Sequence, residues 1–361
     1  MTDQGHVRLK AGIIGLSWIA ADPAGEASSE VLGSAPPYSH ASAMAAVGGI
    51  DVVSACDLRP EARAAFLDTW SGQWPGVEVF DDVDAMLQRP LDLVSIVTPD
   101  HIHASMIEKC IDAGVPMIFS EKPFTTDLDE ADRLLRHIAK SGATVSVNHT
   151  WRWRPDIIEA MSLVSSGRLG PLSQVTIEAG GPRAMLFRNL SHFIDLAIYV
   201  VGNSPEWVMG ELEGGEEYGL DYSGDGGSNA DLDPGAWAMI GFPDDVRAYV
   251  SGEKSGPADV VIQIECSEGR ITIDALGGRI VENPRTNDGT PVSVSGPAIR
   301  PLKPRFTRSG MEAGLADLIS SHRSGREPSG TARTARETVA VIDAILRSSQ
   351  SGSRVDVRRP S

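Results

Sequence analysis

Glu121, Lys122 and Pro123 directly follow the apolar run from Val115 to Phe119. The run predicts a buried strand, so the lysine is expected at the carboxyl end of a sheet, where open α/β sheets bind their ligands. Burial and neighbouring charge change the pKa of a lysine, which makes Lys122 a candidate proton donor or acceptor. A surface ion pair before a turn is the structural alternative for the same residues.

A second group of polar residues lies in the apolar stretch from Leu190 to Tyr199. Its spacing predicts a helix that carries His192 and Asp195, three residues apart, on one face. The aspartate would then orient or charge-stabilise the imidazole, an arrangement suited to general acid or base catalysis. A buried histidine that is satisfied by a carboxylate, without catalysis, is the alternative.

Strand and helix patterns alternate through the first 150 residues. Alternation of this kind predicts a mostly parallel, doubly wound sheet. The predicted strands are 11–14, 52–56, 77–80, 91–97, 117–119 and 144–147, and the predicted helices are 40–47, 60–70, 102–113 and 128–140.

The first predicted strand leads into a loose form of the dinucleotide fingerprint G-x-G-x-x-G. Serine and alanine stand at the second and third glycine positions. The first glycine suits a tight turn, the serine lets the backbone approach a pyrophosphate, and the alanine allows a helix to pack on the strand. We therefore predict a cofactor-binding turn formed by Gly15, Ser17, Trp18, Ile19 and Ala20.

Asp57, at the end of the second predicted strand, is the acidic residue expected to hold the adenosine ribose. It follows Gly15 at roughly twice the usual gap of about 20 residues. The run from Asp22 to Tyr38, rich in proline, glycine and serine, predicts an inserted loop that accounts for the additional residues between Gly15 and Asp57. This loop either covers the site or is a tolerated surface insertion. Asp57 favours NAD because its carboxylate repels a 2′-phosphate, whereas Arg59 could pair with that phosphate, so NADP stays possible.

Thr98 and Pro99 end the most apolar predicted strand. Their place at the carboxyl edge of the sheet predicts that they line the nicotinamide ribose. His103 is a further cofactor candidate, and equally a residue that caps or packs against the following helix.

Composition excludes several classes of protein. The 361 residues are 41% hydrophobic and 22% charged, which is typical of a globular protein with two domains. A formal net charge of −17 disfavours nucleic acid and anionic membranes as partners. The polar first ten residues and the lack of a membrane-spanning apolar run favour the cytoplasm. The spacing of Cys56, Cys110 and Cys266 indicates neither a disulfide framework nor a zinc site, so no metal is predicted.

Taken in order, the glycine turn, Asp57, the segment from Thr98 to His103, and Glu121-Lys122-Pro123 resemble the Gfo/Idh/MocA oxidoreductases, the family of glucose-fructose oxidoreductase and inositol dehydrogenase. The resemblance continues through segments 151–155, 167–172, 191–196 and 330–348. It implies a Rossmann domain at 1–150 and, at 151–361, an α/β domain with an open mixed or antiparallel sheet for substrate binding and oligomerisation. Helices within 311–349 would pack back toward the first domain.

Local patterns in the second domain agree with this resemblance. Residues 211–233, which are acidic and rich in glycine, are expected to form a mobile excursion from the sheet. The predicted strands of this domain are 173–179, 236–242, 246–252, 260–266 and 270–275.

The resemblance implies an NAD(P)-dependent oxidoreductase that transfers a hydride between nicotinamide and a hydroxyl of a sugar, polyol or sugar acid. Lys122, His192 and Asp195 would be catalytic, and Glu121 and Lys122 would lie beside the cofactor. The chain would form a homo-oligomer, a dimer or tetramer. A glycosidase or lyase that oxidises its substrate only transiently, and a non-enzymatic protein that responds to nucleotides, are the alternatives.

Three arginines and a tryptophan are candidate substrate contacts. Trp151 and Arg152 suit sugar hydroxyls, although either side chain could instead be buried. Arg188 stands four residues before His192, where family members such as inositol dehydrogenase carry an aspartate. Arg183 and Arg188 together make this part of the chain locally basic. Arg188 either binds an acidic substrate, such as a uronate or a sulfonated sugar, or forms an internal salt bridge.

Overall fold

The computed structural model describes residues 8–22, 37–214, 232–283, 296–305 and 308–360. These residues form two compact units. The first unit contains the described residues up to Trp153 together with the segment Arg308–Arg336, and the second contains the remainder.

The described strands of the first unit form one sheet of six strands in which every neighbouring pair is parallel. Their order is β3-β2-β1-β4-β5-β6, which reverses direction between β1 and β4. This is the order of a dinucleotide-binding fold, so the predicted doubly wound sheet is confirmed. The strands are β1 (Leu9–Ile14), β2 (Ile50–Cys56), β3 (Glu78–Phe80), β4 (Leu93–Ile96), β5 (Met117–Ser120) and β6 (Thr144–Val147).

Helices connect these parallel strands, as parallel crossovers require. Residues 23–36 of the predicted inserted loop lie outside the described residues. The helices are α1 (Trp18–Ala21), α2 (His40–Val47), α3 (Pro60–Trp70), α4 (Val83–Met86), α5 (His103–Asp112) and α6 (Leu128–Ser141), with 3₁₀ turns at Asp100–Ile102 and Thr150–Trp153.

The second unit contains a mixed sheet in the order β14-β13-β12-β11-β7-β10-β9-β8-β15. The β7–β10 pair is parallel and the other described pairs are antiparallel. Its strands are β7 (Leu172–Gly180), β8 (Trp207–Leu212), β9 (Ala236–Gly241), β10 (Arg247–Glu253), β11 (Val260–Cys266), β12 (Gly269–Asp274), β13 (Gly277–Glu282), β14 (Ala298–Pro301) and β15 (Val355–Asp356). Within the predicted excursion at 211–233, β8 continues to Leu212, and residues 215–231 lie outside the described residues.

Helices α7 (Pro155–Ser165) and α8 (Ser191–Val201) complete the described core of the second unit. Contacts of α8 with β7 and β10 cover one face of the sheet. The other face exposes large side chains, because Met209, Trp237 and Tyr249 are 50%, 41% and 38% exposed. Strand register places Met209 and Tyr249 on either side of Met239, so these side chains form a continuous apolar surface.

Two helices near the carboxyl terminus follow the second sheet, and they are α9 (Gly310–Ser324) and α10 (Ala332–Ser351). Helix α9 packs against α2, β5 and β6 in the first unit. Leu315 and Leu318 of α9 join Met44 and Phe119 in the core there. The segment Arg308–Arg336 therefore contributes to the core of the unit that contains the dinucleotide-binding sheet.

The three cysteines are free and buried. Burial raises the pKa of the Cys110 thiol to about 12, which suits its predicted role as a small buried hydrophobe. Among the described helices, none is long and apolar enough to cross a membrane. The described part of the chain likewise contains no group of three His, Cys, Asp or Glu side chains arranged to hold a metal ion.

Candidate functional site

The turn after β1 lies at the point where the strand order reverses. Gly15 has φ +87°, and a Cβ atom at this residue would lie 2.5 Å from the carbonyl oxygen of Val97, directly after β4. Only glycine fits this conformation and this close approach. The crevice between β1 and β4 is where folds of this type bind dinucleotides.

The rest of the predicted turn has both a buried and an exposed side. Ala20 is fully buried, as close packing on the strand requires, and Ile19 is half-buried. Ser17 is exposed, and its side chain does not cap α1. Trp18 is 41% exposed and packs against Tyr38, with ring centroids 5.8 Å apart. This contact joins α1, which precedes the predicted inserted loop, to the last residue of that loop.

Asp57 lies beside the same turn, at the end of β2. One carboxylate oxygen accepts a hydrogen bond of 2.9 Å from the backbone N–H of Leu16. The Arg59 side chain donates to both oxygens at 3.1 Å. Burial acts to raise the pKa of Asp57, but the hydrogen bonds from Arg59 and Leu16 outweigh it and hold that pKa below its usual value. The carboxylate is thus charged and fixed at the place where the ribose was predicted, and the exposed Arg59 is paired with it.

Thr98 and Pro99 follow β4 on the adjacent side of the turn. The Thr98 hydroxyl oxygen is buried and has no hydrogen-bond partner within the described residues. A buried hydroxyl without a partner is costly, so it is a natural contact for a polar ligand.

His103 does not face a ligand. It is fully buried, and its ring nitrogens lie 2.7 Å from the Pro123 carbonyl oxygen and 2.9 Å from the Thr98 carbonyl oxygen. This geometry corrects the predicted cofactor contact, because both ring nitrogens are engaged by backbone. His103 instead joins the loop after β4 to the loop after β5.

Glu121 and Lys122 directly follow β5, as predicted. The Glu121 Oε1 atom accepts a hydrogen bond of 2.6 Å from Asn148 Nδ2 and lies 3.0 Å from His40 Nε2. Its Oε2 atom accepts the backbone N–H of Lys122 at 3.2 Å. Burial acts to raise the pKa of Glu121, but His40, Lys122 and Asn148 outweigh it and hold that pKa far below its usual value. A permanent negative charge therefore lies next to the half-buried lysine.

Three polar residues at or near Glu121 were not identified from the sequence: two contact Glu121 directly, and the third, Ser95, contacts His40. His40 opens α2, Ser95 is the only polar residue of the buried strand β4, and Asn148 follows β6. Both Ser95 and Asn148 are polar residues in or directly after buried strands, and that position was the available signal. The position of His40 at the start of a helix gave no such signal.

Trp151 and Arg152 lie in the 3₁₀ turn Thr150–Trp153. Both are buried, and Arg152 donates a hydrogen bond of 2.7 Å to the Ser329 carbonyl oxygen. Burial of both side chains favours the alternative stated for them, in which they pack inside the protein rather than contact sugar hydroxyls.

The second unit carries Arg188 on a π-helical turn, Leu186–Leu190, that leads directly into α8. The fully buried Asp233 accepts hydrogen bonds from the backbone N–H groups of Phe187, at 3.0 Å, and Arg188, at 3.1 Å. These bonds satisfy backbone N–H groups of the first helical turn, which have no hydrogen-bond partner within the helix. Asp233, which the sequence did not indicate, thus fixes the turn that carries Arg188.

His192 and Asp195 lie on α8, and the predicted helix is confirmed. His192 is half-buried, whereas Asp195 is fully buried among apolar neighbours of the same helix. Arg188 is half-buried and Arg183 is exposed. An imidazole that remains accessible on an otherwise buried helix is suited to contact a ligand.

Residues 9–149 match the model of the Gfo/Idh/MocA family, an oxidoreductase family with an NAD-binding Rossmann fold. An inositol 2-dehydrogenase from Rhizobium meliloti (strain 1021) is 27% identical over 177 residues, which cover 46% of this chain and 52% of that protein. A D-apiose dehydrogenase from Paraburkholderia graminis is 22% identical over 347 residues, which cover 88% of this chain and 86% of that protein. The chain spans about half the length of the first of these relatives.

Solved structures show the same fold over nearly the whole chain. A levoglucosan dehydrogenase in complex with NADH superposes with a TM-score of 0.78 at 18% identity, covering 97% of this chain and 99% of that one. At this level of identity the likeness concerns the fold.

Proposed function

From the match of residues 9–149 to the Gfo/Idh/MocA oxidoreductase family, we propose that the chain belongs to this family and is an NAD(P)-dependent dehydrogenase of sugars, polyols or sugar acids. The observation that carries the proposal is the half-buried Lys122, held beside a charged carboxylate at the carboxyl edge of the dinucleotide-binding sheet. The curated relatives named inositol 2-dehydrogenase and D-apiose dehydrogenase support substrates with several hydroxyl groups.

The residues around the β1 turn fit a nicotinamide dinucleotide. Gly15 leaves no side chain between the turn and β4, the buried Thr98 hydroxyl offers a polar contact, and Asp57 presents a charged carboxylate. When bound, the nicotinamide supplies a carbon that accepts or returns a hydride. Asp57 supports NAD, and NADP would require Arg59 to leave its pair with Asp57.

Proton transfer accompanies the hydride. During oxidation an alcohol carbon loses a hydride and its hydroxyl group loses a proton, and during reduction both return. The negative charge of Glu121 beside Lys122 favours a lysine that donates a hydrogen bond to the reacting oxygen rather than one that abstracts a proton. His192 is then the group that exchanges the proton, with Asp195 on the same helix supporting its orientation.

We also propose that Arg188, together with Arg183, favours a substrate that carries an acidic group. Asp233 fixes the backbone at Arg188, so the guanidinium extends from an ordered turn. Bidentate pairing with a carboxylate or sulfonate would make this recognition specific. Arg188→Ala is expected to raise KM for a sugar acid about tenfold or more while KM for the neutral parent sugar changes little, with Arg270→Ala, at an exposed position of β12, as the matched control. Equal effects on the acidic and neutral sugars would contradict this assignment.

A substrate panel tests the proposed function. Sugars, inositols, uronates and glycosides would be incubated with NAD or NADP, and nicotinamide absorbance would be followed together with the products. Oxidised product formed with an equal amount of reduced nicotinamide is the expected result. Cleaved glycoside without net reduction would indicate transient oxidation and elimination instead. Cofactor binding without turnover of any compound would indicate a nucleotide-responsive binding protein.

A further inference from the structure

Glu121 contacts a second titratable side chain that the proposed chemistry does not use. The Nε2 atom of His40 lies 3.0 Å from Glu121 Oε1, and Nδ1 of the same ring contacts the hydroxyl oxygen of Ser95. His40 is 1% exposed, and its ring packs against Phe119 with centroids 5.3 Å apart. The imidazole is therefore held at both nitrogens and cannot reach a ligand in this position.

The Glu121 contact of His40 has a definite direction. An ionised carboxylate only accepts, so His40 donates its Nε2–H to Glu121. The single hydrogen of the Ser95 hydroxyl points either to Nδ1 or to the Phe119 carbonyl oxygen, which lies 3.4 Å away. The Nε2–H donor is therefore the contact that restrains Glu121.

Glu121 in turn restrains the backbone of Lys122. Its Oε1 atom accepts from Asn148 as well as from His40, which fixes the plane of the carboxylate. Its Oε2 atom accepts the backbone N–H of Lys122. The position of the lysine backbone thus depends on a carboxylate that two side chains from other parts of the sequence hold in place.

We propose that His40 is a positioning residue for the reaction, because it fixes the Glu121 carboxylate that holds Lys122 at the site. The inference rests on the proposed function of Lys122. Among the described residues, the charged or titratable groups that face Glu121 are His40 from α2 and Lys122 from its own loop, and the neutral Asn148 faces it from the segment after β6. Loss of the His40 donor raises the pKa of Glu121 and removes one of the two side-chain donors that fix its carboxylate.

Two matched substitutions separate the contacts of His40. His40→Gln places an amide N–H near the position of Nε2 and retains a donor to Glu121, whereas His40→Asn places its amide near Nδ1 and loses that donor. For His40→Asn we expect kcat to fall about 10- to 100-fold with KM for the cofactor little changed. His40→Gln is expected to recover most of kcat.

Amide hydrogen exchange provides a readout that does not need activity. The Lys122 amide donates to Glu121, so peptides that cover it should exchange faster in His40→Asn than in the wild-type protein and His40→Gln. Peptides from α6 serve as the internal control and should not change. Faster exchange in α6 as well, with an equal loss of kcat in both variants, would show a merely structural role and overturn the proposal.

An unchanged kcat together with unchanged amide hydrogen exchange at Lys122 in His40→Asn would also overturn the proposal. If the wild-type protein turns over no substrate, the proposed function fails, and the exchange comparison still decides whether His40 fixes the loop.

Discussion

Lys122 lies beside a carboxylate whose charge persists far into the acid range. The pKa of Glu121 is held low by His40, Lys122 and Asn148 in spite of burial. A carboxylate in this state cannot exchange protons near neutral pH, so its role is to provide charge and a hydrogen-bond acceptor. The chemistry at this point of the first unit is therefore assigned to the lysine.

Replacement of Lys122 by methionine is expected to lower kcat by about 10²- to 10³-fold, the usual loss when a positioned donor to the reacting oxygen is removed. The side chain keeps its approximate length but loses its charge, so cofactor binding should change little. Steady-state kinetics and a fluorescence titration with NADH would measure the two effects. Lys140→Met, at an exposed position of α6, is the control. Equal kcat values for the two variants would remove Lys122 from the mechanism.

The sequence predicted the residues that follow the strands directly but not their partners. Glu121 and Lys122 could be placed because an apolar strand precedes them. His40 is separated from Glu121 by 81 residues, and Asn148 by 27. No local pattern encodes such contacts, since they arise only when the strands and α2 come together. The burial of Arg152 against Ser329 is long-range in the same way.

At the scale of elements, the geometry of the site depends on the approach of the β1 turn to β4. The backbone of Gly15 lies so close to the Val97 carbonyl that no side chain fits between them. Helix α1, which starts in this turn, has only four residues, and the described part of the insertion follows it. The turn itself therefore defines the space available to a cofactor.

Gly15→Ala is expected to weaken cofactor binding more than tenfold. The added Cβ would meet the Val97 carbonyl oxygen at 2.5 Å, and the left-handed backbone alone costs an L-residue about 1–2 kcal/mol. Gly142→Ala is a matched control, because Gly142 has φ +75° but its Cβ would meet nothing within 4 Å. Titration with NADH and thermal unfolding would compare the variants. Similar cofactor affinity in both would contradict the close approach.

A buried ion pair joins α6 to the first turn of α10. Arg336 Nε lies 2.6 Å from an oxygen of Asp132, and the two side chains are only 2% and 9% exposed. Asp132→Asn is expected to lower the free energy of unfolding by about 3–5 kcal/mol, because it leaves a buried charge without its counterion. Glu327→Gln, which breaks the exposed pair with Arg333, should cost only about 0–1 kcal/mol. Chemical denaturation would measure the free energy of unfolding of both variants. Equal losses would contradict the claim that the buried pair stabilises the protein more than the exposed pair.

The order of elements was largely predictable, and the outer strands of the second sheet were not. Alternating apolar runs predicted each strand of the first sheet to within a few residues. Strands β8, β13, β14 and β15 were missed: β14 and β15 have only four and two residues, β13 begins with two glycines, and β8 contains one. The register between β7 and β10 joins segments about 70 residues apart, which local periodicity cannot indicate.

At the scale of the whole molecule, the open face of the second sheet is the surface that most requires a partner. Met209, Trp237 and Tyr249 are exposed on adjoining strands. Contiguous exposed apolar surface of this kind marks an interaction site. The homo-oligomer predicted from the sequence would place a second copy of the chain on this face.

Introduction of charge on this face is expected to reduce the oligomer to a monomer. Trp237→Asp with Tyr249→Asp would place two carboxylates in an interface that buries apolar side chains, where unpaired charge is costly. Leu276→Asp, at a 93% exposed residue between β12 and β13, is the control. Light scattering after size exclusion would give the masses. A monomeric wild-type protein, or an unchanged oligomer in the double variant, would contradict this interface.

Transfer of hydrogen from the substrate carbon to the nicotinamide is the most direct test of dehydrogenase chemistry. A substrate from the panel would be prepared with deuterium on the carbon that bears the reacting hydroxyl, and the mass of the isolated reduced cofactor would be measured by mass spectrometry. We expect one deuterium in each reduced nicotinamide and an oxidised product, with Lys122→Met slowing the formation of both. Unlabelled reduced cofactor, or product released while the cofactor shows no reduction, would contradict a dehydrogenase built on Lys122.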